Sequence, residues 1–274
     1  MTDATTTDAL PEAFWLPDGD GFRATEATRG PWSMEHQHGG PPSALLARAL
    51  ELGAAASSAV PMRAARVTVA FHRPIPLAGR YSVAFEVVRD GKKVRVARAQ
   101  LVDSAARAVA SAEALFIRRA DVGVQATPDA APPRAPRECA PYHFPFFPNR
   151  VSYDKAMEGR LLGGTFGSGA MAMWLRMRIP LVPGEAPSPL QRVMCAADSG
   201  NGVSVALDLK QYTFVPPDLT VVLARELEGE WMCLDATTRF GADGIGLADT
   251  ALLDEQGLVG RGLQPLIVER RVGG

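Results

Sequence analysis

The chain has 274 residues, 47% of them apolar and 22% charged, with a formal net charge of −1. That length allows two ordinary domains, each with its own core. The charge balance supplies no electrostatic footprint for nucleic acid or for an anionic membrane. The three cysteines, Cys139, Cys195 and Cys233, are odd in number and show no C-x-x-C spacing, so neither a disulfide framework nor a zinc site is expected. Met1 to Leu10 is polar and lacks the apolar stretch of a signal peptide, and no run reaches the roughly 20 apolar residues of a membrane span. The expected location is cytoplasmic.

In chain order, residues 1 to 13 read as a tail and Phe22–Thr25 as a short strand. Gly30-Pro31-Trp32 breaks the chain, and His36-Gln37-His38-Gly39-Gly40-Pro41-Pro42 leads into an Ala/Leu-rich helix over 44–52. Prolines are tolerated in a first helical turn because those N–H groups lack an intrahelical acceptor. Four strands are predicted at 63–73, 80–89, 92–103 and 107–118, with a hairpin at Arg89-Asp90-Gly91-Lys92. The alternation of Val94 and Val96 with Arg95 and Arg98 predicts a sheet with one solvated face. Residues 120–141, crowded with Pro128, Pro132, Pro133, Pro136 and Pro141, read as a linker. Beyond it, Arg150–Tyr153 and Met171–Met177 are predicted strands around a glycine-rich turn at Gly163–Gly169. The aromatic run Tyr142–Pro148 reads as interdomain packing. Ser188, as N-cap, and Pro189 open a second helix that Asp198-Ser199-Gly200 closes, and strands at 211–224, 231–241, 244–254 and 258–270 complete the chain.

The second part repeats the first. Val67–Arg73 before Gly79 matches Leu219–Arg225 before Gly229, with Thr68 and Thr220 at an offset of 152 residues. Leu101-Val102-Asp103 and Glu113 match Leu252-Leu253-Asp254 and Gln264 at an offset of 151 residues. That period is too long for a solenoid unit and predicts two copies of one α+β domain, at 14–119 and 142–274, joined by the linker at 120–141. At the same offset Ala47 stands for Asp198, so the first copy lacks half of the Asp198/Gln264 pair and is expected to be mainly structural.

His38-Gly39-Gly40-Pro41-Pro42 opening a helix, Ala197-Asp198-Ser199-Gly200 at the end of another, Glu230-Trp231, and Asp254-x-x-Gly257 followed by Gln264 together resemble the acyl-CoA thioesterase II-like (TesB-like) family over residues 20–270. The resemblance implies a double hotdog, in which each of two copies wraps a curved antiparallel sheet around a long central helix. It implies hydrolysis of an acyl-CoA by a water held between an Asp, a Thr or Ser, and a Gln, without metal or organic cofactor. Carried over residue by residue, the Asp is Asp198 and the Gln is Gln264, while Pro216 stands where the hydroxyl belongs. Proline offers neither hydroxyl nor N–H. Thr220, Ser199 and Ser204 are the replacement hydroxyls considered, with Thr220 taken as the catalytic candidate.

The residue types fit that chemistry. A shielded carboxylate gains basicity, an amide both donates and accepts, and N–H groups at a helix start stabilise negative charge. His38, Gly39 and Gly40 are the expected substrate-binding residues, the glycines permitting close approach to the backbone. His36 and His38 have no third ligand nearby in sequence, so no metal is expected. Two other readings remain open: a non-catalytic acyl-thioester binding protein, motivated by Pro216, and an enoyl-thioester hydratase, for which an acidic partner to His38 is not evident. Both a monomer and a homo-oligomer are compatible with the chain.

Overall fold

The structure is a computed structural model that describes residues 9–56, 60–127, 129–148 and 150–271. The start of the expected tail (1–8) and Pro128 of the expected linker lie outside the described residues. The first half contributes strands β1 (Trp15–Asp18), β2 (Gly21–Ala24), β3 (Met62–Phe71), β4 (Arg80–Arg89), β5 (Val94–Asp103) and β6 (Ala108–Arg118). The second contributes β7 (Ala140–Pro141), β8 (Met157–Gly164), β9 (Ala170–Met177), β10 (Tyr212–Val215), β11 (Asp218–Leu223), β12 (Met232–Phe240), β13 (Ile245–Asp254) and β14 (Gly257–Arg270). They join in one antiparallel sheet ordered β1-β2-β4-β5-β6-β3-β11-β14-β13-β12-β9-β8-β7, with β10 also on β14. The helices are α1 (Gly40–Ala56), α2 (Tyr153–Ala156), α3 (Pro189–Ala197) and α4 (Gly200–Val203).

Sequence explains each main element. In β3 the buried Val67 and Val69 alternate with Arg66 and Thr68, the period of a strand with one covered face. Helix α1 is covered on nearly every side: Gly40 to Ala47, Leu50 and Ala54 are all buried. It lies against β3 to β6 and against α3. Ser188 caps α3, its hydroxyl accepting the Gln191 N–H at 3.1 Å, and Pro189 fills the first turn. The two helices meet so closely that a Cβ at Gly40 would fall well under 3.0 Å from the Cys195 carbonyl oxygen.

The halves join through β3 and β11, and the register shows a pseudo-twofold axis. Thr220 pairs with Thr68, its repeat counterpart, and their hydroxyls lie 3.0 Å apart. On either side, Asp218 faces Ala70 while Arg66, the counterpart of Asp218, faces Val222, the counterpart of Ala70. Each pair is therefore exchanged with another by a half-turn about the Thr68–Thr220 pair.

Two predicted strands are corrected. Residues 150–153 are not a strand: Tyr153 begins the short helix α2, and the strand starts at Met157. The run 211–224 is two strands, because Pro216 and Pro217 have no ladder N–H to give. β10 and β11 therefore reach β14 only at Ile267–Arg270 and Gly260–Leu263, leaving Gln264 to Leu266 in the gap.

The repeat alignment is also off by one residue. Thr68 pairs with Glu113, and Thr220 with Leu263, so the counterpart of Gln264 is Ala114. A one-residue shift turns a side chain to the other face. Glu113 points outward to Arg66 at 2.9 Å and Arg98 at 3.0 Å, whereas Gln264 and Ala114 are both buried.

Candidate active site

The end of α3 meets the start of α1 across the interface of the halves. Asp198, the C-cap of α3, is buried there, with its Oδ2 3.2 Å from His38 Nδ1. The amides of Gly39 and Gly40 are directed at its carboxyl group, and Gly40 N–H also donates to His38 Nδ1 at 3.0 Å. A Cβ on Gly39 would lie 2.6 Å from the Phe71 ring and 2.7 Å from Asp198 Oδ2. The two glycines thus first admit the protein's own atoms, Cys195 and Asp198, rather than only a ligand.

Gln264, also buried, holds Asp198 from behind. Its Nε2 donates to the Asp198 carbonyl at 3.1 Å and to Oδ1 at 3.2 Å, and its Oε1 accepts the Asn201 N–H at 3.0 Å. Both amide hydrogens are therefore used on one residue. Gly200 permits this fit, since a Cβ there would sit 2.9 Å from Gln264 Oε1.

Burial governs the electrostatics. It raises Asp198 from an ordinary 3.8 to about 7, with the Gly39, Gln264 and Gly40 donors opposing part of the rise. Burial also lowers His38 to about 3. The His38–Asp198 contact is thus within ion-pair distance but is not an ion pair at neutral pH, because the imidazole is neutral. With Nδ1 accepting from Gly40, the ring proton sits on Nε2, and the contact is attractive when Asp198 carries the shared proton.

Sequence reasoning missed the aromatic shell. Tyr153 stacks on His38 with ring centroids 3.8 Å apart and planes 2° apart, and Phe147 lies 6.1 Å from both rings. The Tyr153 hydroxyl donates to the Cys195 carbonyl at 2.9 Å and lies 2.8 Å from Ser199 Oγ. Since its hydrogen is committed to Cys195, it accepts from Ser199. Burial pushes the phenol well above its usual range, so it stays protonated.

A cavity of about 420 Å³ opens beside Asp198 and Ser199. Trp32, Phe71, Phe144, Phe146, Phe147 and Pro216 supply apolar wall, and Arg73 is a charged lining residue. The Tyr142–Pro148 run therefore contributes a site wall as well as packing. His36 also lines the cavity, and its backbone bridges to Pro76. Among the described residues no group of three or more His, Cys, Asp or Glu is placed to hold a metal ion.

The structure brings Asp198, Gln264, His38, Gly39 and Gly40 together, and places Thr220 elsewhere. Thr220 is on the sheet face opposite the buried Leu219 and Val221, bonded to Thr68 and, at 3.3 Å, to Asp218. Ser204 is also turned away, bonded to the Gly200 carbonyl and to Thr238. Ser199 is the hydroxyl beside Asp198. Replacing Thr220 with valine is expected to change unfolding free energy by about 1 kcal/mol, since its two hydroxyl bonds are only partly buried, while leaving turnover within about twofold. Denaturant unfolding and a turnover assay on the same sample check both.

The other sequence motifs are structural. Glu230 and Trp231 enclose Arg176, which lies 3.2 Å from the Glu230 carboxylate and 4.8 Å from the Trp231 ring centroid. Asp254 is fully buried and accepts from Arg225 and from the Glu228 and Gln256 amides, while Gly257 takes a φ of 126°.

Two domain profiles and several solved structures match the chain. The profile of the acyl-CoA thioesterase N-terminal domain matches residues 28–129 and that of the C-terminal domain residues 126–268. No curated protein matches the chain. Among solved structures, a proposed thioesterase from Novosphingobium aromaticivorans is 21% identical, with a TM-score of 0.68 over 94% of this chain and 99% of that one. A hot dog fold protein of unknown function from Alicyclobacillus acidocaldarius is 16% identical, with a TM-score of 0.66 over 96% and 98%. An acyl-CoA thioesterase II from Mycobacterium marinum is 14% identical, with a TM-score of 0.64 over 94% and 96%. At these identities the likeness establishes the α+β hotdog fold, and no helix among the described residues is long and apolar enough to cross a membrane. The profile matches go further: this chain belongs to the acyl-CoA thioesterase family.

Proposed function

We propose that this protein hydrolyses an acyl-CoA to the free acid and coenzyme A, as a double hotdog whose central helices are α1 and α3. The observation that carries this reading is Asp198, a buried carboxylate raised to about 7 at the edge of a cavity with a mainly apolar wall. Once ionised it takes a proton from a water as that water attacks the thioester carbonyl. The positive end of α1, with Gly39 and Gly40, faces the same corner and favours negative charge on the carboxylate or on the developing oxyanion. Ser199, donating to Tyr153, keeps acceptor capacity for the water, and so takes the part for which Pro216 is unsuited. Arg73 is the lining group suited to a coenzyme phosphate.

Gln264 is read as a positioning residue, since both its hydrogens bind Asp198. Its bond favours the ionised carboxylate. Gln264→Ala is therefore expected to lower kcat and to move the midpoint of the pH–kcat profile upward. An unshifted midpoint would remove that role.

The overall test is release of free coenzyme A from a panel of short, long, branched and aromatic acyl-CoAs. Turnover supports the hydrolase. Tight binding of every substrate without turnover would establish the second reading, a binding protein, which Pro216 in the cavity wall favours.

A further inference from the structure

The pseudo-twofold that exchanges the halves also exchanges the two ends of the helix pair. At one end, Asp198 at the close of α3 meets Gly39 and Gly40 at the opening of α1. At the other end, Glu51, late in α1, meets the opening of α3: its carboxylate accepts from the Ser188 hydroxyl at 2.6 Å and from Gln191 Nε2 at 3.3 Å. Glu51 is thus the carboxylate at that end of the helix pair, as Asp198 is at the other.

A cavity of about 450 Å³ opens beside Glu51, about as large as the one beside Asp198. Ala54, Met62, Phe116, Leu190, Val193 and Leu227 give it an apolar wall, and Arg63 and Glu226 also line it. It lies at the Met62 end of β3 and the Leu223 end of β11, while the first cavity lies at the Phe71 and Pro217 ends of the same strands.

We infer that this second cavity is a ligand site for an apolar acyl chain ending in a hydrogen-bonding carbonyl group, with Glu51, held by Ser188 and Gln191, as its polar anchor. Apolar wall with a few convergent polar groups is the usual make-up of a small-molecule site. Burial raises the Glu51 carboxyl above its ordinary range, which favours the form able to donate to a carbonyl. Two differences separate this site from hydrolysis. The counterpart of Gln264 is Ala114, and Pro189 in the first turn of α3 removes an N–H where α1 has Gly40. The site therefore binds without turnover. The choice of ligand rests on reading the first cavity as the hydrolytic one.

Two sources share this chemistry, the acyl thioester and the acid it releases. Titration calorimetry on the full chain with S-(2-oxononyl) coenzyme A, a ketone analogue of the octanoyl thioester that keeps the carbonyl and cannot be hydrolysed, and separately with octanoic acid, distinguishes them. The variants are Ala55→Trp, which places an indole at the mouth from an exposed helix position, and Glu51→Gln, which keeps shape but not the acid. Expected is a second binding event per chain with at least one probe, absent in Ala55→Trp and at least about fivefold weaker in Glu51→Gln. The probe that gives it names the source. A single event that Ala55→Trp abolishes supports the second site and counts against the first. A single event that survives Ala55→Trp, two events unchanged in both variants, or no binding of either probe would overturn the inference.

Discussion

Replacing Asp198 with asparagine is expected to lower kcat by about 10²–10⁴-fold, the usual contribution of a positioned general base, with little change in KM. Asparagine keeps one oxygen for the donors around it and nearly the same shape, but loses the proton-accepting function and one of the two acceptor oxygens. In the wild type, the proposed role of Asp198 as general base predicts that turnover rises with pH and levels off, with a midpoint near its value of about 7. The same substitution has a stability signature of the opposite sense. The folded-state value lies above the ordinary 3.8, so the stability that Asp198 lends is fully present below about pH 4 and is lost as pH rises through about 7. At roughly 1.4 kcal/mol per unit, the loss approaches about 4 kcal/mol. Denaturant unfolding at pH 5 and pH 8 should show wild type weakening with pH and Asp198→Asn weakening less. Equal slopes, together with a flat pH–rate profile, would mean that Asp198 is neither shielded nor the base.

The second large effect is expected at Gly40. Helix propensity alone predicts that alanine in a helix stabilises by about 1 kcal/mol over glycine. Sterics oppose this, because a Cβ would meet the Cys195 backbone carbonyl, which has no rotamer with which to yield. Overpacking of this kind costs about 1–3 kcal/mol or more. Gly40→Ala is therefore expected to lower Tm by several degrees and to reduce turnover, since its N–H serves His38 and Asp198. Gly163→Ala, in a strand with nothing within 4 Å of the new carbon, is the control and should change little. A Gly40→Ala protein as stable as wild type would show that the helices can part without penalty.

Most strands were legible because their alternation and their Gly-bearing turns are local signals. Those signals mislead where a local pattern meets a tertiary demand. Arg150–Tyr153 reads as a strand, yet Tyr153 turns into α2 and sends its hydroxyl 42 residues along the chain to Cys195 and 46 to Ser199. No spacing rule anticipates such contacts, so the Tyr153–His38 stack was invisible. Asp198 took its role only from resemblance to a family, whereas Gln264 was singled out first by the internal repeat, which gave it a false counterpart in Glu113. An alignment can slip by one residue at no cost, whereas a sheet cannot without exchanging its faces. Pro216 was read as a missing hydroxyl. With Pro217, its physical effect is to part β10 from β11 opposite Gln264.

The β3–β11 seam has a kinetic meaning as well. His38 and Asp198 come from opposite sides of it, so in two separate chains the site would exist only while they were associated. Here the partner half is always at high effective concentration, because both belong to one covalent chain. Activity per molecule should then be indifferent to dilution. Each half was also left free to change alone, so a glutamine on one side of the axis could face an alanine on the other.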